Sequence, residues 1–159
     1  MDSRSVEDAI ARQMRSAVTM LRFVVEQCPD SLWLAGEPNE SWHLAYHALF
    51  YTHLYLAPSE REFVAWGKHR DGVNYLGERC PDPGEPYSQA EVMEYADFCL
   101  AHIDGWVRQT PLDAPSGFSW LEMTRLEVHL YNLRHLAHHG GQLADRLRTE
   151  ADIGVPWVR

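Results

Sequence analysis

At 159 residues the chain is of one-domain size, and folding at this length buries about 68–70% of the unfolded surface. Hydrophobic residues make up 45% and charged residues 23%, a globular composition that argues against disorder. The net charge of -9, with no cluster of Lys or Arg, counts against nucleic acid and anionic membranes as partners, because both are gripped chiefly through basic side chains.

The opening residues, Met1 to Asp8, are acidic-mixed and lack an apolar signal region, so a cytoplasmic address is expected. A first helix is predicted from Ser5 to Cys28. Val6, Ile10, Ala17, Val18, Leu21, Val24 and Val25 follow the three-four rhythm of an amphipathic helix, and Pro29 ends it. A second helix is predicted from Ser41 to Ala57, stopped by Pro58. Its apolar core, from Leu44, is interrupted by His47 and His53 and is too short and too polar to span a membrane.

Ser59 to Tyr87 then forms a link much longer than a bundle turn needs. Glu60 to Lys68 reads as a short helix within it, followed by a Gly/Pro-rich run. The third helix opens at Ser88, where Ser88-Gln89-Ala90-Glu91 is a capping box, and closes at Pro111. A second such box, Ser119-Trp120-Leu121-Glu122, predicts the start of a fourth helix that runs to about Arg148. Trp157, in the irregular tail, is expected to pack. No segment alternates as a strand would. The expected fold is a single all-α domain over residues 1–159, a four-helix bundle whose long link permits a crossover between helices two and three. Of three unpaired cysteines, Cys99 reads as a buried hydrophobe and Cys80 as an inert loop thiol.

The chemistry lies in nine histidines. His43/His47 and His135/His139 are each four apart, one turn apart on a single helix face. At about 100° per residue, Leu136 and Leu143 flank His139 within about 60° and Leu147 within about 80°, so His139 faces inward with His135 beside it, while His138 turns outward. His47 shares its face with Phe50, Tyr51 and Leu54. Imidazoles buried in an apolar bundle need partners, and His47, His135 and His139 from two helices can share one divalent metal. Histidine suits zinc, nickel and iron. His53, His69, His102 and His129 need no functional role. Leu136 follows His135, so the HExxH signature of zincins is missing. A di-iron site is also excluded, since only Glu40-Ser41-Trp42-His43 fits its Glu-x-x-His motif.

The run His135-Leu136-Ala137-His138-His139-Gly140-Gly141-Gln142-Leu143 resembles the last-helix motif of the DinB-like (YfiT-like) family, and Leu44-Ala45-Tyr46-His47-Ala48-Leu49 resembles its second-helix motif. The resemblance implies a four-helix bundle with a crossover, a divalent metal held by His47, His135 and His139, and a homodimer. It also implies thiol-dependent transferase or isomerase chemistry in the better-understood relatives. Two departures stand out. Gly140 replaces a frequent Arg and leaves two consecutive mid-helix glycines, which point to close helix packing or, alternatively, to room for a substrate beside the metal, with packing preferred. His43 stands one turn before His47, where it can compete as third ligand or serve as a proton-transfer neighbour.

The leading functional expectation is a metal-dependent transferase or isomerase acting with a low-molecular-weight thiol on a small-molecule substrate. A metal-dependent hydrolase and a non-catalytic metal- or small-molecule-binding stress protein are the alternatives. A thiol's carboxylates would call on Lys68, His69, Arg70, Arg134 or Arg146. A hydrolase would call on a carboxylate base, with Glu91, Glu94 and Asp97 of helix three available. The apolar edges of helices one and four are the expected dimer face.

Overall fold

The computed structural model describes residues 2–159 and is all-helical, with no strand among the described residues. Helix α1 spans Ser3–Gln27, α2 is the short Asp30–Trp33, α3 spans Ser41–Leu56, α4 spans Gln89–Arg108 and α5 spans Arg125–Ala151. The four long helices correspond to the four predicted. Asp2 caps α1 through its side chain, and Ser88 opens α4 with the predicted capping box.

Helix directions follow from contacts. Asp8–Arg108, Arg15–Asp104 and Arg22–Asp97 ion pairs run α1 and α4 antiparallel. Ser41 near Arg146 and Thr52 bonded to Asn132 run α3 and α5 antiparallel. Tyr46 against Tyr95, and Leu56 bonded to Gln109, run α3 and α4 parallel. Parallel consecutive helices need a connection as long as the bundle, and residues 57–88 supply it. The crossover link is therefore real. It contains no helix at Glu60–Lys68, contrary to expectation; turns and a single 3-10 turn at Gly77–Arg79 hold it instead.

The link has a packing consequence. Helix α3 lies between α4, α5 and the link, so it is buried on all sides, as its lack of an apolar stripe requires. Of its residues, only His47 and Tyr51 are not fully buried. Trp42, Tyr46 and Leu49 are its main contributions to the core, meeting Met14 and Leu21 of α1, Tyr95 and Ile103 of α4 and Leu136 and Leu143 of α5.

Three further expectations are corrected. Helix α5 starts at Arg125, not near Ser119. Thr124 is its cap and Glu127 completes the capping box. The Ser119–Glu122 run is spent on a turn around Ser116, whose hydroxyl bonds the Phe118 and Leu121 carbonyls, and on the Ser119–Glu60 hydrogen bond. Trp157 is 80% exposed rather than packed. Gly140 and Gly141 are not at a close helix contact, since a Cβ on either would meet nothing within 4 Å among the described residues. They line an open apolar groove between α1 and α5. No helix among the described residues is long and apolar enough to cross a membrane.

Candidate metal centre

Helix α3 carries His47, and α5 carries His135 and His139 one turn apart; antiparallel packing of the two helices brings all three rings together. One nitrogen from each lies within 4.8 Å of the others. The Nε2 atoms of His47 and His135 are 3.1 Å apart. Tetrahedral coordination at Zn–N distances of about 2.0–2.1 Å sets ligand nitrogens roughly 3.3–3.4 Å apart, so the pair already has nearly the spacing of two ligands on one ion.

Two of the three opposite nitrogens are tied down, while His135 Nδ1 is buried without a partner among the described residues. His47 Nδ1 donates to the Asn74 backbone carbonyl at 2.7 Å, and His139 Nδ1 donates to Gln142 Oε1 at 2.8 Å. Acceptors on Nδ1 leave Nε2 as the basic, ligating atom. Burial pushes His47 down to about 3 and His135 down to about 4, with repulsion among the histidines adding to it. Burial also lowers His139, despite the bond to Gln142. All three rings are neutral at pH 7, the form that binds metal. The donor set fits a divalent ion, and His47, His135 and His139 could hold one.

The remaining histidines are placed elsewhere. His43 is buried, with Nε2 on the Val73 carbonyl at 2.8 Å and its ring stacked on Trp42, which removes it as a competitor to His47. His138 is exposed on the outer face, as its helical phase predicts. His53 meets the Tyr95 hydroxyl, His69 the Tyr46 hydroxyl and His102 the Phe98 carbonyl. His129 is wholly buried, yet neither of its ring nitrogens has a partner among the described residues.

Above the centre opens a pocket of about 530 Å³, reaching His47 and His135 and walled by Tyr51, Tyr55, Asn74 and Tyr131. The link supplies Tyr75 and Arg79 to its rim, and the α4–α5 connection supplies Trp120. Among the described residues no carboxylate lines it. Glu91 is engaged in the α4 capping box, Glu94 pairs with Lys68 and Asp97 with Arg22, so the bases a hydrolase would draw on are committed to other partners. Of the cations expected to meet a carboxylate, Arg146 bonds the Glu37 and Asn39 carbonyls and Arg70 the Glu85 carbonyl. Sequence reasoning missed Asn74 and Arg79, which sit in irregular backbone without periodicity. It also left Gln142 without a role, though its spacing of three from His139 was a usable signal.

The family model that matches the chain is that of the DinB superfamily, over residues 13–143. No curated protein and no solved structure matches the chain.

Proposed function

The chain belongs to the DinB superfamily, and from that membership together with its three-histidine centre we propose that it is a metal-dependent transferase or isomerase that works with a low-molecular-weight thiol. The observation that carries the reading is the composition of the site: three neutral imidazoles, two of which, His47 and His135, line an aromatic pocket that no carboxylate lines among the described residues. A divalent ion held there supplies positive charge and an open position, conditions under which a thiol ionises. The residues do the rest. His47 and His139 are oriented by Asn74 and Gln142. Tyr51, lifted above the ordinary tyrosine range mainly by burial, is a neutral phenol able to donate a hydrogen bond. The aromatic walls limit the water that competes with a thiol.

The test is an activity screen of tag-free protein loaded in turn with zinc, nickel and iron(II). Several cellular thiols are paired with small electrophiles, and loss of free thiol is followed. Metal-dependent thiol consumption that disappears in His139→Ala supports the reading. Metal-dependent hydrolysis without any thiol requirement refutes it, and so does protein that takes up no metal. The homodimer belongs to the same proposal, with the apolar groove between α1 and α5 as its surface, and a monomer by light scattering at working concentration rejects it.

A further inference from the structure

Among the described residues, the pocket above the histidines has a single charged residue in its lining, Arg79. The chain carries 23 acidic residues against 14 Lys and Arg, so a pocket with a guanidinium and no carboxylate runs against the composition. Arg79 is not held as a structural cation. It makes no ion pair and no hydrogen bond among the described residues, and its guanidinium carbon lies 4.1 Å from the centroid of the Tyr75 ring. That stacking pre-orients the planar group without using its five donors. A second arginine, Arg134, stands over Tyr131 at 5.4 Å and is likewise unpaired among the described residues. Arg15, Arg22, Lys68, Arg108 and Arg148 have carboxylate partners; Arg4, Arg12, Arg61 and Arg159 are exposed without one among the described residues, but they lie away from this pocket.

Below the arginine the walls are aromatic. Tyr55 and Tyr131 meet edge to face with centroids 5.3 Å apart, and Trp120 continues that side of the pocket. Such walls favour a flat unsaturated body, and neutral phenols can donate to an anion. A guanidinium with free donors matches the two oxygens of a carboxylate. We propose that the pocket takes a small carboxylate-bearing ligand with a planar unsaturated body, its carboxylate on Arg79 and its body along the Tyr55, Tyr131 and Trp120 rings. This rests on the thiol-transfer reading and narrows it, since the carboxylate belongs either to the thiol or to the electrophile it meets.

Calorimetric titration separates the possibilities. Zinc content is measured first on the wild type and on Arg79→Gln. Cinnamate is then compared with cinnamamide, and 3-mercaptopropionate with its amide, on the zinc-loaded protein. Each pair exchanges a carboxylate for a neutral amide of nearly the same shape. The expected result is a preference of about tenfold or more for the acid in the cinnamate pair, lost in Arg79→Gln while the amide binds as before, and partly restored in Arg79→Lys. Preference confined to the thiol pair places a carboxylate on Arg79 but overturns the planar body, because 3-mercaptopropionate is saturated. Equal binding of acid and amide in both pairs overturns the proposal. So does an acid preference that survives Arg79→Gln undiminished, since the metal alone then accounts for it. Absence of bound zinc refutes the metal reading instead, and the cinnamate comparison on metal-free protein still decides the role of Arg79.

Discussion

The Nε2 atoms of His47 and His135 lie 3.1 Å apart across two helices, although 88 positions separate the residues in the chain. Two imidazole nitrogens at that distance either share one proton in a hydrogen bond or share a cation. His139→Ala is expected to abolish stoichiometric metal binding, while His138→Ala and His43→Ala keep it. His43→Ala should instead lower stability, because it removes the bond to the Val73 carbonyl. Elemental analysis with urea unfolding checks both. Equal metal loss in the His138 and His139 variants would overturn the assignment of faces on α5.

Gln142 acts on the centre through His139. Its Oε1 accepts from Nδ1, and loss of such an outer partner typically weakens metal binding about 10–100-fold. Gln142→Ala should therefore retain one site of reduced affinity, measured by competition with a chromogenic chelator. Unchanged affinity would mean that the bond does not orient the ring.

His53 and His129 give the protein an acid sensitivity separate from the metal centre. Burial pushes both down to about 4, and neighbouring positive charge adds to it, against about 6.5 in an unfolded chain. Between these values the unfolded chain binds more protons than the folded one. Their contribution to stability is thus complete above about pH 6.5 and is lost as pH falls toward 4, at about 1.4 kcal/mol per unit and per group. His129 also has two nitrogens in the core without a partner among the described residues. His129→Leu should raise the unfolding free energy at pH 7 by about 1–3 kcal/mol and flatten its fall with acid. Urea titrations of metal-free protein from pH 7.5 to 4.5 test this, and a less stable variant with an unchanged slope would contradict it.

Gly140 and Gly141 weaken α5 without any steric need, because added methyl groups meet nothing within 4 Å among the described residues. Each Gly→Ala change should stabilise the fold by about 0.5–1 kcal/mol. Destabilisation in the urea midpoint would show that the groove they line is filled in solution.

What could be read from the sequence depended on whether one helix carried the information. His135 and His139 are legible because a spacing of four puts them on one face, and the fold supplies His47 where the second helix was expected to. His43 and His47 have the same spacing, yet only His47 reaches the centre. The difference is the Val73 carbonyl, 30 residues away on the link, and no local pattern announces it. Two candidate capping boxes precede α5. Choosing Thr124 over Ser119 required knowing that Arg125 N bonds the Ala114 carbonyl and Leu126 N the Leu112 carbonyl, tertiary facts that set where the helix begins. The pocket rim was hidden for the same reason: Asn74, Arg79 and Trp120 sit in backbone without a period.

His47 is oriented by a backbone oxygen, the carbonyl of residue 74, rather than by a side chain. Every amino acid carries that oxygen, so substitution at position 74 need not loosen the ring. The side chain of the same residue faces the ligand pocket. Position 74 can therefore change what the pocket accepts while the histidine above it keeps its tautomer. The candidate metal ligands sit on α3 and α5, whereas Asn74, Tyr75 and Arg79 of the pocket lining sit on the link.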